Sequence, residues 1–172
     1  MDKILLKYLY NLGLKNKKAV VYTAITLPNI FVVLYILGIA LVFFLKRQCL
    51  LRFVLIPMVV LFTVTIIRKI VNRKRPFQVV KEIQPFIPHD DGESFPSRHT
   101  ASSFIIGMAF LYVNIYIGVP ILVLSFVVGL SRIMAGLHYP SDVLFGGIYS
   151  IIIGYIGFFI IWFGNGEKWK LF

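Results

Sequence analysis

The sequence is poor in charge, in acid and in cysteine, and each shortage excludes something. Only 15% of its 172 residues are charged while 59% are hydrophobic, a balance that excludes an ordinary soluble globular enzyme. The single cysteine, Cys49, excludes an intrachain disulfide and any multi-cysteine metal site, and it reads as a packing residue. Seven acidic residues face 18 basic ones, for a net charge of +11. Such an excess on an amphipathic soluble surface would point to nucleic acid. Here the basic residues sit between apolar blocks, so they read as topology signals or anion ligands, with no nucleic-acid partner. No internal repeat or low-complexity segment is visible, which argues against the large inverted-repeat transporters. The opening stretch from Met1 to Leu14 lacks the compact apolar core and small-residue cleavage site of a signal peptide. Its Ile4, Leu5, Tyr8 and Leu12 spacing instead predicts an interfacial helix within residues 1–18.

What the sequence does hold is long apolar runs. Val20 to Leu45 is 26 residues without a charge, Val143 to Gly166 is 24, and His99 to Ser131 is 33. A hydrocarbon core of roughly 30 Å takes about 20 helical residues to cross, so the longest block holds two short crossings with a turn between them, expected at Gly118 and Pro120. Backbone amides in lipid must be paired within their own segment, and the dyad alternation of a membrane barrel is missing. The fold class expected is therefore all-α: a polytopic membrane bundle of five spans, about 20 to 45, 50 to 71, 99 to 117, 119 to 136 and 142 to 163. The whole of 1–172 reads as one membrane domain. Pro28 and Pro57 are expected to kink the first two spans, and Trp162 and Trp169 to anchor the interface. Gly146, Gly147, Ser150 and Gly154 recur at three- to four-residue spacing and would admit a close helix neighbour. The long connection, 72–97, is polar and proline-rich and should lie ordered over one membrane face.

Three polar clusters interrupt the apolar pattern, and the five-span topology brings all three to one side. The first is Arg68, Lys69, Arg73, Lys74, Arg75 and Pro76; the second is Pro96, Ser97, Arg98 and His99; the third is Ser131, Arg132, Gly136, His138 and Asp142. Alone, the first cluster reads as a basic membrane flank. Beside two histidines and a carboxylate at span ends, it reads as a functional site, because ionisable groups there are expensive. A buried His and Asp pair that merely stabilises a helix junction is the bland alternative. Arginines, a lysine, two histidines and one carboxylate make an anion site with acid-base and nucleophilic capacity. Phosphate fits it, since guanidinium forks match phosphate oxygens and a helix starting near Ser97 adds backbone donors. His138, four residues before Asp142, can be oriented by that carboxylate so that its other nitrogen attacks. His99 can protonate the leaving oxygen.

These residues resemble the type 2 phosphatidic acid phosphatase superfamily of membrane lipid phosphatases. Its first motif, a basic residue, six others and Arg-Pro, is similar to Arg68 through Arg75 and Pro76, although Lys is usual at the first position; either Arg68 serves, or Lys69 with a shifted register. The second, Pro-Ser-Gly-His, reads Pro96-Ser97-Arg98-His99, with Arg98 where the family has glycine. The third, Ser-Arg, five residues, His, three residues, Asp, is met by Ser131, Arg132, His138 and Asp142. The resemblance implies that His138 attacks phosphorus, Asp142 orients it, and His99 acts as acid and then as base. It also implies that Arg68 or Lys69, Arg75, Ser97, the Arg98 amide and Arg132 hold phosphate, with no metal or other cofactor. A single carboxylate at the site agrees, being too little for a magnesium-bridged phosphate. Asp90, Asp91 and Glu93 read as a solvated loop, as does His89.

The resemblance implies a lipid substrate with a phosphate or diphosphate head group. Undecaprenyl diphosphate stands first because small family members often act on it, beside phosphatidylglycerol phosphate, phosphatidic acid and lipid A 1-phosphate. Rival readings are a non-catalytic phospholipid carrier, a haem protein using His99 and His138, and an inactive member of the family. Sidedness divides the arguments. The motif side carries 13 of the 18 Lys and Arg, which by the positive-inside rule places it in the cytoplasm. The resemblance implies the extracytoplasmic face of a bacterial inner membrane, and that is the expectation adopted.

Overall fold

The computed structural model describes residues 2–88 and 92–161. His89, Asp90 and Asp91, and the expected anchors Trp162 and Trp169, lie outside the described residues. The elements are helices throughout: α1 (Asp2–Lys15), α2 (Lys17–Leu45), α3 (Leu50–Val71), the single turn α4 (Pro76–Val79), α5 (Arg98–Val113), α6 (Ile115–Met134) and α7 (Pro140–Tyr155), which runs on as a π-helical segment, Ile156–Ile160. Pro28 and Pro57 both sit inside their helices.

Among the described residues, four segments are long and apolar enough to cross a membrane: Lys17–Leu45, Arg47–Val79, Ile115–Met134 and Pro140–Ile160. Their outward side chains are apolar, including Val33 and Ile36 on α2, Phe62 on α3, Phe126 on α6 and Ile152 on α7. The molecule is an integral membrane bundle whose surface is matched to lipid rather than water. The remaining expected span is α5, and it differs in kind. At 16 residues it is about 24 Å long at the α-helical rise, and it packs against α2, α3, α6 and α7. Nine of its residues are buried, so α5 is the axis of the bundle, shielded from lipid by its neighbours.

The turn between α5 and α6 is not at Gly118 and Pro120 but at Asn114. Its side chain accepts hydrogen bonds from the backbone amides of Tyr116 at 2.9 Å and Ile117 at 3.3 Å, an N-cap that starts α6 there. Pro120 is inside the helix. Gly118 serves contact instead of turning, since a Cβ on it would lie 2.2 Å from the Leu111 Cα. The small stripe on α7 behaves as its spacing predicts. A Cβ on Gly146 would meet the Ser97 carbonyl oxygen at 2.9 Å, and the Ser150 hydroxyl donates to the Ala101 carbonyl at 2.9 Å.

The bundle has a polar end and a far end. At the far end the Lys46 ammonium donates to the Val113 carbonyl at 2.8 Å. At the polar end α1 is docked as well as amphipathic. Ile4, Leu5 and Tyr8 are exposed, as the interfacial reading expects, while Leu6 and Tyr10 on the other face are buried in a cluster with Val80, Ile83, Ile133, Leu137 and Tyr139. The Tyr10 hydroxyl donates to the Gln84 carbonyl at 3.0 Å and accepts from the Gln84 amide at 3.2 Å. Cys49 is free and packs beside the central apolar cluster.

A Gly118→Ala variant should be destabilised by about 1–3 kcal/mol, because two backbones would have to part. Thermal unfolding in detergent checks this against Val119→Ala at the exposed neighbouring position. Equal midpoints for the two variants would show that the α5–α6 contact tolerates a methyl group.

Candidate active site

Local signals at the helix ends deliver the three clusters to one place. α3 ends at Asn72, whose left-handed backbone (φ 44°) is one asparagine tolerates, and the chain turns back with Arg73 and Arg75. α6 ends in a Schellman motif. Gly136, with φ +74°, donates to the Ile133 carbonyl at 2.9 Å, and Leu137 donates to Arg132 at 3.1 Å. A Cβ at Gly136 would also lie 2.8 Å from Ile83, so this position suits glycine on two counts. The turn sets His138 directly behind Arg132. Pro140 opens α7, a favoured first helical position, and Asp142 in that first turn accepts the Tyr139 amide at 2.8 Å. Ser97 precedes α5, and its backbone amide donates to the Asp142 carbonyl at 3.1 Å.

His138 is 2% exposed and Asp142 fully buried. Their nearest ring-to-carboxylate distance is 3.7 Å, beyond hydrogen-bond range. The imidazole Nδ1 instead lies 2.8 Å from the Ser94 backbone carbonyl. A carbonyl only accepts, so Nδ1 carries the proton and Nε2 keeps its lone pair. Nε2 faces Arg75, 3.5 Å from Nη1. Burial pushes the His138 pKa down to about 4, Asp142 opposes the shift, and the charges of Arg75 and Arg68 add to it. The ring is therefore neutral at ordinary pH.

Asp142 is gripped by groups to which the sequence reading assigned no role. One oxygen accepts from Arg73 Nη1 at 2.7 Å; the other accepts from the Ser94 hydroxyl and the Tyr139 amide. Arg73 also stacks on Tyr139, 3.9 Å from the ring centroid. Ser94 thus touches both members of the pair, through its carbonyl and its hydroxyl. Arg73 was visible in the basic cluster, but without a role of its own. Ser94, two residues before Pro96, carries no compositional signal.

Arg68, Arg75 and Arg132 are each no more than 5% exposed. Arg68 donates to the Pro96 carbonyl at 2.7 Å and to the Glu93 carbonyl, and Arg75 donates to Leu137 at 3.1 Å. The Nε atoms of Arg75 and Arg132 are buried without a hydrogen-bond partner. The guanidinium charges act on one another, Arg75 with Arg68 and with Arg132. Lys69 points away and is exposed, so Arg68 is the basic residue that the fold brings inside. Arg98 is exposed at the start of α5, and His99 beside it is half-buried. The Ser97 hydroxyl is buried and accepts from Thr100 at 2.9 Å. Among the described residues no three His, Cys, Asp or Glu side chains form a metal-binding group. A groove of about 460 Å³ lined by Lys3, Ile4, Lys7 and residues 79–82 lies on the α1 side, away from His138.

Buried guanidinium donors beside a neutral, Nδ1-protonated imidazole can bind an oxyanion and attack it. Residues 29–165 match the model of the PAP2 superfamily. The undecaprenyl-diphosphatase BcrC of Bacillus subtilis is 43% identical over 49% of this chain and 43% of its own length. The bacitracin transport permease protein BcrC of Bacillus licheniformis is 34% identical over 75% of this chain and 65% of its own. The chain thus spans less than two thirds of the length of either. The putative undecaprenyl-diphosphatase YbjG of Escherichia coli is 32% identical over 82% of this chain and 69% of its own length. In fold, the crystal structure of Aquifex aeolicus LpxE matches with a TM-score of 0.78 at 24% identity, covering 91% of this chain and 93% of that one.

Histidine-selective NMR tests the protonation state. His138 should stay neutral and Nδ1-protonated down to about pH 5, with its midpoint near 4. A midpoint near the ordinary value of about 6.5 would contradict the buried, carbonyl-bound ring.

Proposed function

Since the chain belongs to the PAP2 superfamily, we propose that it is a membrane lipid phosphatase that removes phosphate from a lipid head group through a phosphohistidine. The observation that carries this reading is the pair of unpartnered buried guanidinium Nε donors, on Arg75 and Arg132, around an imidazole whose Nε2 is unprotonated. Burying donors without acceptors is costly, and a phosphoryl group supplies the missing oxygens.

In the proposed reaction Arg68, Arg75, Arg132 and Ser97 hold the phosphoryl oxygens, and the amides at the start of α5 add donors. His138 Nε2 attacks phosphorus and the bond to the leaving oxygen breaks, while His99 gives that oxygen a proton. Water, losing a proton to His99, then attacks the phosphohistidine. The P–N bond breaks, and phosphate leaves with His138 neutral again. Asp142 offsets the positive charge that the ring acquires on attack. Its contact with His138 is electrostatic at 3.7 Å, while the Ser94 carbonyl fixes the tautomer. A metal is not needed in this scheme, because guanidinium groups neutralise the phosphoryl charge and the one buried carboxylate is engaged by Arg73, Ser94 and Tyr139.

Undecaprenyl diphosphate is the preferred substrate, supported by the likeness to the undecaprenyl-diphosphatase BcrC and the putative undecaprenyl-diphosphatase YbjG. Lipid A 1-phosphatase of Rhizobium etli, 31% identical over 51% of this chain, keeps the lipid A head group as the second reading. The site sits at span ends, where a head group meets a tail held in the bilayer. We place it on the extracytoplasmic face of a bacterial inner membrane.

Phosphate release in detergent, with EDTA present, should proceed on at least one of undecaprenyl diphosphate, phosphatidylglycerol phosphate, phosphatidic acid or lipid A 1-phosphate. His138→Ala and His99→Ala should each lose roughly 1,000-fold or more in turnover, and Asp142→Asn should lose less. Release that survives His138→Ala, or that stops with EDTA, would overturn the scheme. No release from any of the four by a folded, colourless protein would favour the lipid carrier. Arg98→Gly should reorder the four substrates if the side chain in place of glycine sets the head group.

A further inference from the structure

Outside the three motifs, α1 reaches into the site at its first turn. The Asp2 carboxylate accepts from Arg73 Nη2 at 2.7 Å, from the Ser141 hydroxyl at 2.6 Å and from the Ser141 amide at 3.1 Å. Arg73 Nη1 donates to Asp142 and to the Ser141 hydroxyl, both at 2.7 Å. One guanidinium thus bridges two carboxylates 140 positions apart in the sequence, one of them beside His138. The bridge is sheltered, with the Arg73 and Asp2 side chains 32% and 29% exposed. The Asp2 carboxyl lies below its usual range: burial works against this, and hydrogen bonds from Ser141 and Arg73 outweigh it.

The charges give the bridge a purpose. Arg73 paired with Asp142 alone would cancel the one carboxylate near His138. With Asp2 taking the other edge of the guanidinium, two negative charges share one positive charge, and Asp142 keeps a negative balance toward the ring. A neutral imidazole does not need it; the positively charged phosphohistidine does. The same fork fixes where Asp142 stands. We propose that Asp2 is a positioning residue for catalysis, acting through Arg73 to orient Asp142 and preserve its charge beside His138, so that the N-terminal helix is part of the active-site machinery. This rests on the phosphohistidine reading above.

The test is steady-state kinetics of the full chain on whichever of the four lipids it hydrolyses fastest. Asp2→Asn should lower kcat about 10-fold, the scale of a supporting contact one shell removed from the chemistry, with KM changed less than 2-fold because no phosphate ligand is touched. In an Arg73→Gln background the same substitution should change kcat less than 2-fold, since its route to Asp142 is already cut. Lys7→Gln, which breaks the exposed Lys7 to Glu82 pair of α1, should leave kcat unchanged. If Asp2→Asn does not fold, Ser141→Ala removes the hydroxyl between Asp2 and Arg73 and should lower kcat 2- to 5-fold at constant KM. Wild-type kcat in Asp2→Asn, or an equal loss with and without Arg73, would overturn the proposal while leaving the phosphatase reading intact. A wild-type protein that releases no phosphate, or release independent of His138, would overturn that reading and the proposal with it.

Discussion

Buried positive charge in excess of buried negative charge is the constraint on which the polar end of this molecule depends. Arg68, Arg75 and Arg132 are withdrawn from water, and Asp142 is the one buried carboxylate among the described residues. An unpaired buried charge is strongly destabilising, so the fold must supply other partners. It does so mainly with backbone, beside the half-exposed Glu93 carboxylate 3.8 Å from Arg68. Arg68 takes the carbonyls of Glu93 and Pro96, and Arg75 takes that of Leu137. The segment 92–97 and the turn 135–139 are held in place by the guanidinium groups they satisfy, and the ordering of the loop follows from the charge. What backbone does not satisfy, the two Nε donors, is what remains for a ligand.

The membrane explains why such a cluster is assembled from distant pieces. Spanning helices must be apolar along their length, so chemistry is confined to their ends and to helices shielded from lipid. α5 is the shielded one, and it accordingly carries Thr100, Ser103 and the small residues Ala101 and Gly107 among its buried positions. Gly146 and Ser150 let α7 press onto its first turns, which ties Ser97 to Asp142 at backbone distance. The small-residue stripe and the motif residues are therefore one device: close packing on one face of α7 sets the spacing of the polar groups at its start.

Much of this was legible in the sequence, and what was not failed for identifiable reasons. The apolar runs, their shared polar end and the candidate residues Arg75, Ser97, Arg132, His138 and Asp142 follow from hydropathy and from the motifs that carry the family resemblance. The choice between Arg68 and Lys69 did not, because adjacent residues differ only in which side of α3 they occupy. The turn was expected at Gly118 because glycine signals both turns and close contacts, and here contact was its use, while Asn114 capped the helix. Ser94 escaped because its part is played largely by a backbone carbonyl, which every residue has. Asp2 and Arg73 escaped because their pairing spans 71 positions and has no local pattern.

The division of labour around His138 separates two properties often assigned to one partner. A carboxylate hydrogen-bonded to Nδ1 would both fix the tautomer and raise the basicity of the ring. Here the Ser94 carbonyl fixes the tautomer and Asp142 stands 3.7 Å off. Burial first, and then the charges of Arg75 and Arg68, hold the ring down to about 4 against the opposing effect of Asp142. A weakly basic ring is a poorer nucleophile, but it is also a better leaving group from phosphorus. The second half of the proposed reaction requires the P–N bond to break, and a ring of low basicity favours that step. Asp142 then contributes chiefly when the ring is charged, so its electrostatic help falls on the intermediate and its flanking transition states and not on the resting enzyme.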